Sequence, residues 1–343
     1  MSRTYRVFSY ISQKVKVAQK DSLHETLGHL FRHESGKMIA VLSRLLGLQH
    51  IGTAQDIVQD TLLQAMNTWR YGNMPPNPRA WLYRVAKNKA IDFLRREKKF
   101  REISPQYANL LRSEYALAPT VHQLFLEDEI QDSQLRMMFA CCHPSIPGES
   151  QIALILKTLC GLSVSEIAKA FLTADETINK RIYRAREKIK SEQIELEVPS
   201  AGELSPRVDA VLKALYLLFN EGYNSSHTDR LIREDLCEEA LRLCHLLTLH
   251  AMTNFPRCRA LMALMCFQSS RLNARLDENS GIILLKNQDR TKWNRDLIQK
   301  GFDYLDAAAE PFEISAYHFE AAIASLHAAA PSFEKTDWRS IYH

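Results

Sequence analysis

The densest concentration of chemistry in the chain lies between Arg79 and Arg101. The run RAWLYRVAKNKAIDFLRREKKFR sets nine cations, Arg79, Arg84, Lys87, Lys89, Arg95, Arg96, Lys98, Lys99 and Arg101, against Asp92 and Glu97 alone. Such a local excess is the electrostatic footprint of a surface that meets phosphate. At helical period, Trp81, Val85, Ile91 and Leu94 form an inner stripe, which leaves Arg84, Lys87, Asn88, Arg95 and Lys98 on the wetter faces. Trp69, Tyr71, Trp81 and Tyr83 put flat rings beside the charge. Rings among cations suit unstacked bases, because every base offers a π face. On this stretch alone, a solvated basic helix over an aromatic core remains an equal reading.

A second cationic cluster follows a different pattern. Ser163 with Glu166 three residues on is a capping box, and Thr173 with Glu176 repeats the signature. Two short helices joined by the turn Gly161 to Ser163, followed by a longer basic helix, match a helix-turn-helix. The inner stripe of the longer helix is Ile178, Ile182, Ala185 and Ile189. Its first turns reach base edges in such a motif, so Glu176, Thr177, Asn179 and Lys180 are candidate readers, and Arg181, Arg184, Arg186 and Lys188 candidate phosphate contacts. A purely structural three-helix bundle is the competing reading. A third candidate surface lies in AQDIVQDTLLQAMNTW, where Ile57, Thr61, Leu62, Ala65 and Trp69 mark an inner stripe and Thr53 stands where a cap would. Asp56, Gln59, Asp60 and Gln64 then project outward, as an acidic and amide face able to dock a basic protein surface, or as a plain solvated one.

These faces need elements to hold them. The 343 residues are 46% hydrophobic, enough for two or three domains with real cores. Residues 1–199 carry 28 Lys and Arg against 21 Asp and Glu, whereas 200–343 carry 16 against 19. The front half is therefore basic and the back half mildly acidic. No apolar run approaches the length of a bilayer span and no signal peptide opens the chain, so a soluble, cytoplasmic protein is expected, without a membrane partner. All seven cysteines fall in apolar helical pattern without C-x-x-C spacing, as packed free thiols do.

Helical periodicity runs through nearly the whole chain, and strand patterns are almost absent. The fold class is all-α. The boundaries fall as an N-terminal extension over 1–22, a helical bundle over 23–101, a tether over 102–125 marked by Pro105 and Pro119, and the helix-turn-helix module over 126–192. A second linker covers 193–205, and a helical domain covers 206–343. In that last domain helices are expected near 206–219, 235–249, 256–269, 292–309 and 313–329, paired as hairpins. Two polar phrases interrupt it, FNEGY at 219–223 and NQDRTKWN at 287–294, and both read as loops or interdomain contacts. The closing DWRSIYH looks like the start of another helix, as though the natural chain continued.

Catalytic motifs are missing: no phosphate-cradling P-loop, dinucleotide fingerprint, zinc-protease helix or nucleophile elbow occurs. CCHP at 141–144 has adjacent cysteines that face different ways on a helix, a poor start for a metal site. An enzyme is the least expected class, and no cofactor or metal is called for.

The order of these elements resembles the extracytoplasmic-function (ECF) sigma factors, the initiation subunits of bacterial RNA polymerase. AQDIVQDTLLQAMNTW is similar to the sigma region 2 helix that docks on the clamp of the polymerase large subunit, which implies core contacts for Asp56, Gln59, Asp60 and Gln64. PRAWLYRVAKNKAIDFLRR is similar to the element that melts and reads the −10 promoter DNA, implying that role for Trp81, Arg84, Lys87, Asn88, Asp92, Arg95 and Arg96. LRMMFACCHP through LCGLSVSEIAKAFLTADETINKRIYRAREKIK is similar to region 4, the reader of the −35 element, and extends that role over Glu176, Thr177, Asn179, Lys180, Arg181, Arg184 and Lys188. The helical back half resembles a subgroup with a TPR-like C-terminal extension. The implied partners are the core polymerase, through its clamp and flap, and promoter DNA. The extension is expected to modulate activity by folding back on the two basic modules or by binding a regulatory protein. A helix-turn-helix transcription regulator that binds duplex DNA without polymerase, with a helical sensor or dimerisation domain, is the alternative.

Overall fold

The computed structural model describes residues 28, 30–69, 74–96, 114–225, 231–277, 281–310 and 313–342. Among them the secondary structure is helical, apart from one isolated bridge between Leu276 and Ile282. The front bundle is built from α1 (30–46), α2 (Ile51–Thr68), α3 (Pro78–Arg96) and α4 (Glu114–Leu124). The helix-turn-helix module follows as α5 (Glu127–Cys141), α6 (Gly148–Thr158), α7 (Val164–Ala170) and α8 (Asp175–Ser191). The C-terminal domain holds α9 (Ala201–Tyr223), α10 (Glu234–Leu249), α11 (Pro256–Ser269), α12 (Arg295–Ala308), α13 (Ala316–Ala329) and the short α14 (Trp338–Tyr342).

The front bundle forms where the apolar stripes say it should. Met38, Val41, Leu42, Leu45 and Leu46 of α1 are buried, and Gly47 ends the helix at φ 87°, a conformation that favours glycine. In α2, Ile57, Thr61 and Ala65 are buried, yet the helix starts at Ile51 rather than at a Thr53 cap. In α3 the phase differs from expectation. The fully buried residues are Leu82, Tyr83, Ala86, Ala90, Ile91 and Leu94, while Trp81 and Val85 sit at the margin. The stripe is turned because a second layer, α4, lies over it: Phe125 meets Tyr83 at 5.5 Å between ring centroids, and Val121 and Leu124 are buried. The second part of the expected tether is therefore helix, and 102–113 lies outside the described residues, as does the 1–22 extension. The linker expected over 193–205 is also shorter, since α9 begins at Ala201 and runs through FNEGY to Tyr223.

In the C-terminal domain α11 is the axis. Its sequence RCRALMALMCFQS is apolar nearly all round, and such a helix must be enclosed. α9, α10, α12 and α13 pack around it.

The three modules meet at one junction. α1 runs so close to the end of α6 that a Cβ on Gly36 would lie 2.0 Å from the Leu159 carbonyl oxygen; only glycine permits that approach. At this point Glu166, the third residue of α7, is ion-paired with Arg32 of α1 at 3.3 Å and with Arg233, just before α10, at 2.5 Å. Asp235 pairs with both arginines, at 3.2 and 3.3 Å. Arg242 of α10 donates to Gln134 of α5 at 2.9 Å. The recognition helix α8 lies against Leu48–His50, and Arg186 donates to Gln55 of α2.

Candidate nucleic-acid interface

The helix-turn-helix is built by its caps. Ser163 Oγ accepts from the Glu166 amide at 3.2 Å, and Glu166 Oε2 accepts from the Ser163 amide at 2.6 Å, the reciprocal pair read from the sequence. Gly161 turns the chain ahead of it at φ 64°. The second box does not form: α8 is entered from Ala174, with no side-chain cap, after Leu172 at φ 50°. Ile178, Ile182, Ala185 and Ile189 are buried as expected.

Of the candidate −35 residues, Glu176, Asn179, Lys180, Arg184 and Lys188 are exposed, and Thr177 is half-buried. Lys180 pairs with Glu176 at 2.7 Å, and Lys188 with Glu192 at 3.3 Å, both exposed i,i+4 pairs of small energy. Two cations are already engaged inside the protein. Arg181 pairs with Glu149 and lies over the Phe171 ring at 5.3 Å. Arg186 is held against Gln55, so it is withdrawn from the surface where a phosphate would be met.

On α3, Arg84, Asn88, Asp92, Arg95 and Arg96 are exposed and follow one face at helical spacing. Lys87 is half-buried, 5.3 Å over the Phe125 ring, and burial lowers its pKa. The rings divide unequally. Trp69 is buried to 1% and Tyr83 to 8%, so neither can stack on a base. Trp81 stays partly open, edge-on to Trp69 at 5.2 Å, and Tyr71 lies outside the described residues.

Tyr83 serves a buried carboxylate instead. Its hydroxyl donates to Glu34 Oε2, Lys37 donates to Glu34 Oε1 at 3.2 Å, and Arg79 lies 3.4 Å from the same group. Burial alone would raise the Glu34 pKa. The hydrogen bonds from His33 and Tyr83, with the charges of Lys37 and Arg79, overcome that and hold it at about 2.

On α2, Asp56, Gln59, Asp60 and Gln64 are exposed together, as read from the sequence. The structure adds Leu63 and Met66, 56% and 41% exposed among them. An apolar centre ringed by carboxylates and amides is the anatomy of a protein-binding patch. Both residues fall off the inner stripe, which is the signal a sequence reading could have used.

The comparisons with known proteins follow this division. Residues 30–100 match Sigma-70 region 2, and residues 136–189 match Sigma-70 region 4. The chain is 36% identical to an uncharacterized protein of Rhizobium meliloti (strain 1021) over 295 residues, 85% of this chain and 69% of that one. It is 26% identical to the ECF RNA polymerase sigma factor SigE of Mycolicibacterium smegmatis over 162 residues, 47% of this chain and 59% of that protein. The chain belongs to the ECF sigma factors. Another relative is the RNA polymerase sigma factor YlaC of Bacillus subtilis, 27% identical over 143 residues, 41% of this chain and 78% of YlaC. Residues 207–309 match a family of unknown function, DUF6596, within the helical C-terminal extension. No solved structure matches the chain. Region 2 thus corresponds to the bundle of α1 to α3, and region 4 to the module carrying α6, α7 and α8.

Proposed function

We propose that the chain joins core RNA polymerase and directs it to promoters, with α8 reading the −35 element, α3 engaging the −10 element as the DNA melts, and the C-terminal domain governing how far the two modules can separate. The observation that carries this reading is the pair of exposed cationic faces on two different modules, accompanied by the rimmed apolar patch on α2. A duplex-only regulator needs neither the patch nor the second face. Flipping a base out of the stack costs a few kcal/mol, comparable with one or two stacking contacts, so Trp81 and the α3 cations suffice only when polymerase and α8 hold the rest of the promoter. The protein would act in the cytoplasm, where polymerase and promoter are.

The same reading requires opening. A −10 and a −35 element lie about 25 base pairs apart, roughly 80 Å along B-form DNA at 3.4 Å per base pair. Here α8 is packed on α2 through Arg186 and Gln55. The arrangement described is a closed form, held by the Glu166 junction, that must part on the promoter.

The test uses purified core polymerase. Asp60→Arg places a cation in the acidic ring and is expected to abolish co-elution with core while leaving the helical spectrum unchanged. Lys180→Ala with Arg184→Ala is expected to weaken promoter binding and to lower its salt slope by at least about one, the phosphate contact of Arg184. Co-elution that survives Asp60→Arg removes the α2 assignment, and an unchanged slope removes that of α8.

A further inference from the structure

The two polar phrases of the C-terminal domain, expected as loops or interdomain contacts, meet through Arg271 beside one cavity of about 240 Å³. Its apolar walls are Leu264 and Phe267 of α11, Leu285, and Ile323 and Ala324 of α13; Arg271, Trp293, His327 and Glu320 supply the polar groups. FNEGY contributes Tyr223 and NQDRTKWN contributes Arg290 and Trp293 to a stack of rings and guanidinium groups beside it. Arg271 lies 5.8 Å from the Tyr223 ring centroid and 5.9 Å from that of Trp293, and donates to the Tyr223 hydroxyl at 2.7 Å. Arg290 lies 4.6 Å over Trp293, and Arg275 lies 3.6 Å over Tyr223. Their hydrogen bonds go to carbonyls, a phenol and an amide: Arg271 also reaches Gln268, Arg275 the Tyr223 carbonyl, and Arg290 the carbonyls of His327 and Ala330. Among the described residues none of the three is paired with a carboxylate.

Two donors are left over. Trp293 is 3% exposed, and its indole Nε1–H has no acceptor; Arg290 Nη2 is buried in the same condition. A buried donor without a partner is destabilising, and a bound acceptor at that position relieves the cost. Burial, and then the charges of Arg271 and Arg290, lower the His327 pKa, although Glu334 offsets part of the Arg290 charge. The carboxylate among the lining residues, Glu320, accepts from the Tyr216 hydroxyl at 3.0 Å through Oε2.

We propose that this cavity binds a small organic anion, a carboxylate on an apolar body of one or two rings, with its charge met by Arg271 and the Trp293 N–H and its body lying against Leu264, Ile323 and Ala324. The site has a short route to the junction. Gly222, next to Tyr223, accepts through its carbonyl from the Arg233 amide at 2.7 Å, and Arg233 is the partner of Glu166. This inference does not depend on the transcriptional reading, because binding is measured on the chain alone.

Isothermal titration of the full-length chain with benzoate and 1-naphthoate, and with the neutral benzamide and 1-naphthamide, tests it. At least one carboxylate is expected to bind one to one, and its amide at least about tenfold more weakly, the usual difference made by a charge-assisted pair. Arg271→Gln is expected to weaken the carboxylate by about tenfold or more. Because that change also releases Tyr223, Ala324→Leu is the second variant: it fills the cavity, leaves every charge in place and is expected to abolish binding. The assignment is overturned if neither carboxylate binds in the millimolar range, if acid and amide bind alike, or if Ala324→Leu binds as the unaltered chain does.

Discussion

Two buried carboxylates, Glu34 and Glu166, have nearly the same electrostatics and opposite architectural reach. Each is desolvated, each accepts from several donors, and each is held at about 2. Burial would raise both; for Glu166 the charge of Arg32, the Ser163 hydrogen bonds and the charge of Arg233 outweigh it. Every group that holds Glu34 down belongs to α1 or α3, and contact with the other modules is one step further out, where His33 meets Glu239 of α10 and Arg79 meets Glu127 of α5. The groups around Glu166 come from region 2, region 4 and the C-terminal domain. A carboxylate inside one module secures a fold, whereas the same carboxylate between modules secures an arrangement, which can be given up without unfolding anything.

The largest expected effect comes from Glu34→Ala. It leaves Lys37, Tyr83 and Arg79 without their shared acceptor in a buried setting, and should cost roughly 3–5 kcal/mol and unfold region 2, read as a lowered urea midpoint. Arg233→Ala should act on the arrangement instead. It removes the C-terminal anchor of Glu166 at a cost of roughly 2–3 kcal/mol, and should enlarge the radius of gyration and raise protease sensitivity between modules while helix content stays constant. If Arg233→Ala loses helix content as Glu34→Ala does, the distinction between the two networks fails.

Acid should show the same contrast. Both carboxylates have folded pKa values near 2 against an ordinary 4.5, so their contribution is complete above pH 4.5 and declines as the pH falls towards 2. In that window Glu166→Gln should remove the pH dependence of molecular dimensions, and Glu34→Gln that of the melting temperature. Ser163→Ala makes the smallest change. It removes the hydroxyl of the capping box at about 1 kcal/mol and leaves the Arg32 and Arg233 pairs standing, so scattering dimensions should be unchanged.

Much of this architecture is legible in the sequence where a local rule operates. The stripe of α8, the Ser163 and Glu166 box and the acidic face of α2 follow from helix geometry over a few residues. What the sequence misplaces is decided by distant partners. The phase of α3 and the burial of Tyr83 depend on α4 and on Glu34, and nothing near residue 83 announces a carboxylate 49 positions away. Arg181 and Arg186 read as phosphate ligands because a basic helix shows only its own charges, not Glu149 or Gln55 waiting opposite. FNEGY and NQDRTKWN read as loops because polar residues within apolar context resemble breaks. One is the end of α9 and the other a pair of short turns, and they lend Tyr223, Arg290 and Trp293 to the arginine and ring stack beside the cavity.

On the proposed function, the closed sigma factor parts its two DNA-binding modules on the promoter. Energy transfer between a donor at Asn67 in α2 and an acceptor at Lys190 in α8, both exposed, measures that separation directly. Transfer should be high in the free chain and nearly vanish when the chain sits with core polymerase on a promoter, as the elements it spans lie roughly 80 Å apart. Transfer that stays high in a transcribing complex, or a chain that never joins the core enzyme, would mean that the modules do not part.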